Sequence, residues 1–438
     1  MSLKKTVIML TMVCVVVQAG CGGNARKNSS TNGKVTITFW HSFVSSTVPA
    51  LDTLIMAFER EHPNIVIDAQ YVPTGDALVQ KLVTSVQSNT APDISWIHSD
   101  FLQYLVEANA IYPMKTFIYG QDSLPAKDVE DIYPSLMQAA SWRGDLYSMP
   151  MEATDLCIIY NKDMFKKAGL DSEHGPQTWE ELVDYAKKLT IKVNGTQQIG
   201  FFVPVYPAGG PLGAWMEWQW MPFLWQAGGD IVDSLQTRIL VNSIEGVQAL
   251  GLWRQIYNFE NQSRFSVDYD AAFVSQQVAM IVDGPWDLPR YRKILTNFRW
   301  GVAPLPAGPA GRSTIVGGEY LAIFKQSKHP KQAWTFIKWL MKPEVQALWS
   351  MKSGYLPVRK SVMKLEDYQQ YLRTHPRFAE YVKSLDFGRA PRPIDYNELE
   401  ISRYIAEAIE KATLGNSDPK SVLDEAAQKA NKLLRKDN

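Results

Sequence analysis

The sequence predicts an α/β fold built from parallel strand–helix–strand units. Two observations carry the prediction: stretches of alternating β-branched and polar residues are each followed by apolar residues at helical spacing, and this rhythm repeats along the chain. Length is the third, because 438 residues suffice for two to three domains with a large buried core.

Residues 34–39 (KVTITF) alternate as a first strand, which leaves Trp40, His41, Ser42 and Phe43 just past its end. Leu51, Leu54, Ile55 and Phe58 then mark a helical face; Ile65, Ile67, Ala69 and Tyr71 alternate as a strand; Leu78, Leu82, Val83 and Val86 return to helical spacing. Residues 93–97 (DISWI) form another strand, ahead of a helix around Phe101, Leu102, Leu105 and Val106. Ligands of parallel sheets sit beyond the carboxyl ends of the strands, where Trp40 and His41, and His98, Ser99 and Asp100, both fall. A second α/β segment starts near Pro150, with a strand over 155–160 and a helix running from Thr178, at capping-box spacing from Glu181, to Leu189. Residues 202–229 are dense in Trp, Pro and Gly, and no helix is assigned to them. Helix-then-strand patterning returns at 245–259 and 271–282, and residues 304–318 form a Pro/Gly-rich crossing between domains. The last third is mostly helical, at 333–340, 345–350, 396–414 and 421–434. No internal repeat is evident.

The first 20 residues read as an export leader: Lys4 and Lys5, an apolar run over 7–17, then Gln18, Ala19, Gly20 and Cys21. That run is far shorter than the roughly 20 residues a membrane-spanning helix needs. The pattern resembles a bacterial lipobox, with Gln18 where an aliphatic residue is usual. The resemblance implies that Cys21 carries the lipid and heads a mature chain anchored at the extracytoplasmic face of the membrane. A plain secretory signal cut nearby is the alternative. Residues 21–33 are polar and rich in Gly, Ser and Asn, the composition of a flexible tether. Basic and acidic residues are equal at 45 each, so nothing suggests a nucleic-acid partner. Cys157 has no disulfide partner once Cys14 leaves with the leader and Cys21 is lipidated, and its apolar surroundings mark it as a small buried hydrophobe. The six histidines are scattered, with no metal-ligand spacing, so no metal or cofactor is expected. Fourteen tryptophans is a high number that needs a reason.

Several motifs, in order, resemble the extracellular solute-binding proteins of carbohydrate ABC importers, the broad family that includes maltose-binding protein. They are APDI at 91–94 with Trp96 and Asp100; YSMP at 147–150 leading to IYNKDMF at 159–165 and KAGL at 167–170; PQTWEEL at 176–182; AMIVDGPW at 279–286; and GYLPV at 354–358. Gln276 stands where that family often has glycine, and Tyr396 where it often has tryptophan. The resemblance implies a two-lobed, periplasmic-binding-protein-like fold of type II with the ligand between the lobes. Lobe one would comprise residues 34–153 plus 310–355, and lobe two 154–309 plus 356–438. It also implies a monomer that delivers its ligand to permease subunits.

A pyranose ring has apolar faces and an equator of hydroxyls, so its cleft needs flat aromatic surfaces and in-plane polar groups. Stacking contributes about 0.5–1.5 kcal/mol per pair and hydrogen bonds to charged groups about 1.5–3 each. Micromolar binding requires about −8 kcal/mol, hence two or three rings with several polar contacts. The stacking candidates are Trp40, Trp286 and one or more of Trp215, Trp218 and Trp220; the resemblance favours Trp286, whose Gly-Pro-Trp corner faces the cleft in the family. Core packing accounts equally well for each tryptophan of the 215–225 cluster, and better for Trp225, Trp179, Trp334, Trp339 and Trp349. The polar candidates are His41 and Ser42, Ser99 and Asp100, Thr154 and Asp155, and Glu319 and Tyr320, with the reservation that Asp100 also suits a helix cap. Tyr160 and Asn161 fit a structural role instead.

The expected function is capture of a sugar or oligosaccharide without chemistry. A secreted carbohydrate-active hydrolase or lyase, or a sugar-sensing lipoprotein reporting to a receptor, would carry similar residues. A phosphorylated polyol would need convergent cations, and Arg359 is the single near candidate.

Overall fold

The computed structural model describes residues 33–74, 76–193, 195–208, 213–262, 268–391 and 397–434. The leader, Cys21, the tether up to residue 32 and Tyr396 lie outside them.

Two five-stranded sheets organise the chain. In the first, the order is Ile65–Tyr71, Val35–His41, Ile94–Ile97, Tyr320–Ile323 and Met149–Pro150. Its first three strands are parallel, as the strand–helix rhythm predicts, and Tyr320–Ile323 returns antiparallel from far along the chain. The second sheet runs Trp300–Pro304, Cys157–Asn161, Val278–Asp283, Thr196–Phe201 and Ile191–Val193. Between them in sequence, Thr154–Asp155 pairs antiparallel with Thr314–Gly317, which also carries Gly388–Arg389. The chain therefore leaves the first sheet through one of these two strands and comes back through the other.

Helix Val48–Glu61 turns Ala50, Leu51, Leu54 and Phe58 onto the first sheet, the i, i+4, i+8 set that one helical face requires. Val278–Asp283 is buried along its whole length, so its apolar residues cover both faces of the second sheet. Asn161 closes that sheet's Cys157–Asn161 strand and caps the next helix, its Oδ1 accepting the Asp163 and Met164 N–H groups at 3.0 Å each. Thr178 caps helix Trp179–Leu189 as its spacing predicts, while Glu181 reaches back to the N–H of Gln177 rather than Thr178. Cys157 is fully buried against Ser384. Gln276 has φ +58°, the left-handed backbone that explains why glycine suits this position.

Two local expectations change. The first strand extends through Trp40 and His41, which lie opposite Gln70 and Tyr71 rather than in the loop beyond; aromatic side chains with cross-strand partners favour a pleated surface. The tryptophan-rich stretch contains helix Gly213–Ala227, with Pro222 inside it. Its Trp220, Phe223 and Leu224 are fully buried, and a helix that is apolar on most sides shows no periodicity to read.

Asn161→Ala removes an N-cap that holds two backbone donors, so it is expected to lower unfolding stability by about 1–2 kcal/mol. Urea denaturation checks this as a fall in midpoint at unchanged slope.

Candidate ligand-binding cleft

The second lobe supplies an aromatic wall from two elements. Helix Gly213–Ala227 presents Trp215 and Trp218, three residues apart on one face, with ring centroids 5.0 Å apart and planes 19° from parallel. The short turn Pro285–Asp287 sets the Trp286 ring edge-on to Trp215, at 5.5 Å and 65°. Gly284 lies under that indole so closely that a Cβ there would fall 1.9 Å from Cζ3, so only glycine fits. Trp218 covers the crossing strand, 3.0 Å from where a Cβ on Gly317 would lie. Trp220 leaves the wall. Two residues beyond Trp218 it points away from that face, and it is fully buried.

Tyr355 connects this wall to the other side. Its ring lies 6.3 Å from Trp286 and 6.2 Å from Trp349, nearly parallel to the latter. The Trp349 indole N–H donates to Glu152 Oε2 at 2.6 Å, and Glu152 is buried beside Glu319. Burial and the neighbouring Glu319 hold the Glu152 carboxyl well above the usual range, and burial raises Glu319 too. His98 approaches Glu319 at 3.9 Å and tilts against Trp96.

Unpartnered buried polar atoms occur around Glu152, where the Trp96 indole N–H is one, and on the crossing strand, where Asp155 lies toward Cys157 and Tyr381. Ser42 Oγ, Glu152 Oε1, Thr154 Oγ1, both oxygens of Asp155 and Glu319 Oε2 are buried without a hydrogen bond. All of them can accept a donor, and most belong to carboxyl groups. Asp155 is fully buried on the crossing strand, and desolvation raises it well above the ordinary aspartate range. Asp100, in the turn Ser99–Phe101, is raised by burial, and Glu217 on the tryptophan helix is raised to about 8 by burial and by the charge of Asp100. Asp100 and Glu217, distant in sequence, thus lie within electrostatic reach of one another.

The remaining candidates separate. Trp40 donates to Gln70 at 3.1 Å and lies under Lys81, so it is held within the first lobe. His41 packs among Phe39, Phe43 and Tyr71, and burial lowers its pKa. Tyr320 is a sheet residue, 2% exposed. Ser99 lines a small cavity with Gln103, Trp142 and Glu398, which includes none of the candidate stacking tryptophans. Sequence reasoning passed over Glu152 and Tyr355, which belong to or adjoin quoted motifs. Trp349 sits at the helical spacing that marks a core residue, and it is buried.

Cations are engaged elsewhere. Arg359 is 5% exposed, donates to Asp131 at 2.7 Å and to Asp128 at 2.6 Å, and also bonds the Met341 carbonyl, which removes it as a phosphate ligand. Among the described residues no cluster of histidine, cysteine and carboxylate side chains suits a metal ion, and no helix is long and apolar enough to cross a membrane.

Comparison with known proteins agrees with this architecture. The model of the bacterial extracellular solute-binding protein family matches residues 45–347. The sn-glycerol-3-phosphate-binding periplasmic protein UgpB of Escherichia coli K12 is 27% identical over 430 residues, covering 92% of this chain and 93% of that protein. A cyclic α-maltosyl-1,6-maltose binding protein from Arthrobacter globiformis superposes with a TM-score of 0.78 at 27% identity, covering 92% of this chain and 99% of the other. UgpB from Mycobacterium tuberculosis, solved with glycerophosphocholine, shares the fold at a TM-score of 0.79 and 22% identity, covering 91% and 98%. Two sheets joined by paired crossing strands, an aromatic wall opposite buried acceptors, and a family match over most of the chain lead to one conclusion: this protein belongs to the bacterial extracellular solute-binding proteins, and it binds a solute rather than transforming one.

Proposed function

We propose that the chain captures an uncharged sugar or oligosaccharide between its lobes and delivers it to the permease of an ABC importer. Lobe one would comprise residues 34–153 plus 310–355 and lobe two 154–309 plus 356–438, with Trp215, Trp218 and Trp286 stacking on sugar faces and the buried Tyr355 backing Trp286. The observation that supports the reading is the set of buried polar atoms without a partner on Ser42, Glu152, Thr154, Asp155 and Glu319, while Arg359 and Arg290 are held in ion pairs with Asp128, Asp131, Asp270 and Asp287. Sugar hydroxyls can both donate to and accept from such groups, and each hydrogen bond of this kind contributes about 0.5–1.5 kcal/mol net. The kinship with glycerophosphate-binding proteins favours a second reading, a phosphate ester. Its dianion would meet carboxylates rather than guanidinium groups, which argues against it. Closure of the lobes on the ligand would create the shape the permease recognises. Lipid on Cys21 would hold the protein at the extracytoplasmic membrane face as a monomer, since two acyl chains give the stable anchoring that one does not.

Three outcomes test these statements. In a thermal-shift screen, a neutral oligosaccharide at 100 times its Kd is expected to add about 2.7 kcal/mol of stability, whereas sn-glycerol 3-phosphate is expected to add none; the reverse result would overturn the saccharide reading. Trp215→Ala, at a partly exposed ring, should remove that shift while the unliganded melting temperature changes little. Cys21→Ala should move the protein from the membrane pellet to the soluble fraction.

The buried acids also set a pH dependence. Their folded pKa values lie above the unfolded ones, so the native state holds more protons and stability falls as pH rises. The loss begins near the unfolded carboxylate value of about 4 and for Glu217 runs to about 8. Melting temperature in the absence of ligand should therefore decline across that window, and Glu217→Gln should flatten its upper part.

A further inference from the structure

The Gly-Pro-Trp corner rests on a group of acids that ligand binding does not use directly. Asp283 ends the strand Val278–Asp283, is fully buried, and accepts the Gly284 N–H on Oδ1 at 2.8 Å. Its Oδ2 lies 3.0 Å from the Tyr291 hydroxyl, and the same hydroxyl lies 2.8 Å from Asp270 Oδ1. Asp270 and Asp287 both pair with Arg290.

Counting protons decides what Asp283 is. A phenol carries one hydrogen and donates it once. Asp270 is ion-paired to Arg290 and more exposed, so it is the ionised acceptor of the Tyr291 proton. The contact between Tyr291 and Asp283 then lacks a proton unless Asp283 brings its own, and Asp287, within hydrogen-bond reach of the same carboxyl, is a second acceptor for that proton. The charges agree: three carboxylates, Asp270, Asp283 and Asp287, share a single guanidinium among the described residues. Tyr206, Tyr269, Tyr355 and Tyr381 also face this group, and burial raises each phenol, so none of them supplies charge. Tyr381 donates to the Asp283 backbone carbonyl at 3.2 Å and leaves the carboxyl untouched.

We propose that Asp283 is a positioning residue that works as a neutral carboxylic acid. Its proton bonds the Tyr291 oxygen, its second oxygen holds the Gly284 N–H, and together they fix the backbone on which the Trp286 indole lies. Ionisation would leave the single Tyr291 proton to serve two carboxylates and set Asp283 against Asp270 and Asp287, and that repulsion would displace the Asp283 carboxyl together with the Gly284 N–H it holds. The ring would then lose its orientation against Trp215. This inference rests on the reading of Trp286 as a ligand wall, but its test needs no ligand.

Asp283→Asn reproduces the neutral acid: its amide N–H donates to Tyr291 and its carbonyl accepts from Gly284. The mature protein is compared with Asp283→Asn and Asp283→Ala by infrared difference spectroscopy near neutral pH and by near-ultraviolet circular dichroism. The wild type minus Asp283→Asn spectrum is expected to contain a protonated-carboxyl C=O band that shifts in deuterium oxide. Asp283→Asn should keep the wild-type tryptophan dichroism, including at alkaline pH where the wild type begins to lose it. Asp283→Ala should reproduce the change produced by Trp286→Phe. Absence of the band, or an Asp283→Asn protein that fails to fold or is perturbed as much as the alanine variant, overturns the proposal and leaves the saccharide reading standing. A positive result alongside a silent saccharide screen would sink that reading alone.

Discussion

The constraint on which the rest depends is the desolvation of acidic oxygens where the two lobes meet. Removing an ionised carboxylate from water without a partner costs several kcal/mol, and folded proteins ordinarily avoid it by pairing or protonation. Asp155 is buried with both oxygens unpartnered, and Glu152 and Glu319 are buried within hydrogen-bond reach of one another, with the Trp349 and Trp96 indoles beside Glu152. Such an arrangement persists at a site whose missing donors come from outside. On the reading proposed above, it would weaken the empty protein and concentrate the gain on the moment a hydroxyl-bearing ligand enters.

The fold explains how acceptors and rings from distant parts of the sequence share one space. Thr154–Asp155 and Thr314–Gly317 are neighbours in a small sheet although about 160 residues separate them, and both flank the cleft. Glu152 precedes the first of these strands and Glu319 follows the second, so the same pairing that joins the lobes brings the two carboxyls together. Gly317 then lies against Trp218. The crossing strands, the acid pair and the tryptophan cluster are therefore in contact, and under the proposed reading a ligand bridging ring and carboxyl would act directly on the strands that join the two sheets.

The architecture was largely legible because its signals are local. Alternation in 34–39 and helical spacing at Leu51, Leu54 and Phe58 report faces that the structure buries. The caps at Asn161 and Thr178 follow from side-chain chemistry at fixed offsets. Helix Gly213–Ala227 was not legible, since a helix apolar on nearly every side, with Pro222 within it, has neither period nor normal composition. The cleft was half legible. Trp215, Trp218, Trp286, Asp155 and Glu319 were named from residue type and motif, but Trp220 could be set apart only once the helix fixed its direction. Trp349 was read as a core residue, and the structure buries it at 1% exposure; Glu152 and Tyr355 were missed because their meeting depends on contacts over some 200 residues, which no window of sequence contains.

The most direct measurement is a crystal structure of the protein with the neutral oligosaccharide that stabilises it most. The account predicts sugar hydroxyls within hydrogen-bond distance of Asp155 and of the Glu152–Glu319 pair, with a pyranose face on the Trp215, Trp218 and Trp286 wall. A ligand seated elsewhere, or those carboxyl oxygens paired with protein groups while the ligand is bound, would contradict it.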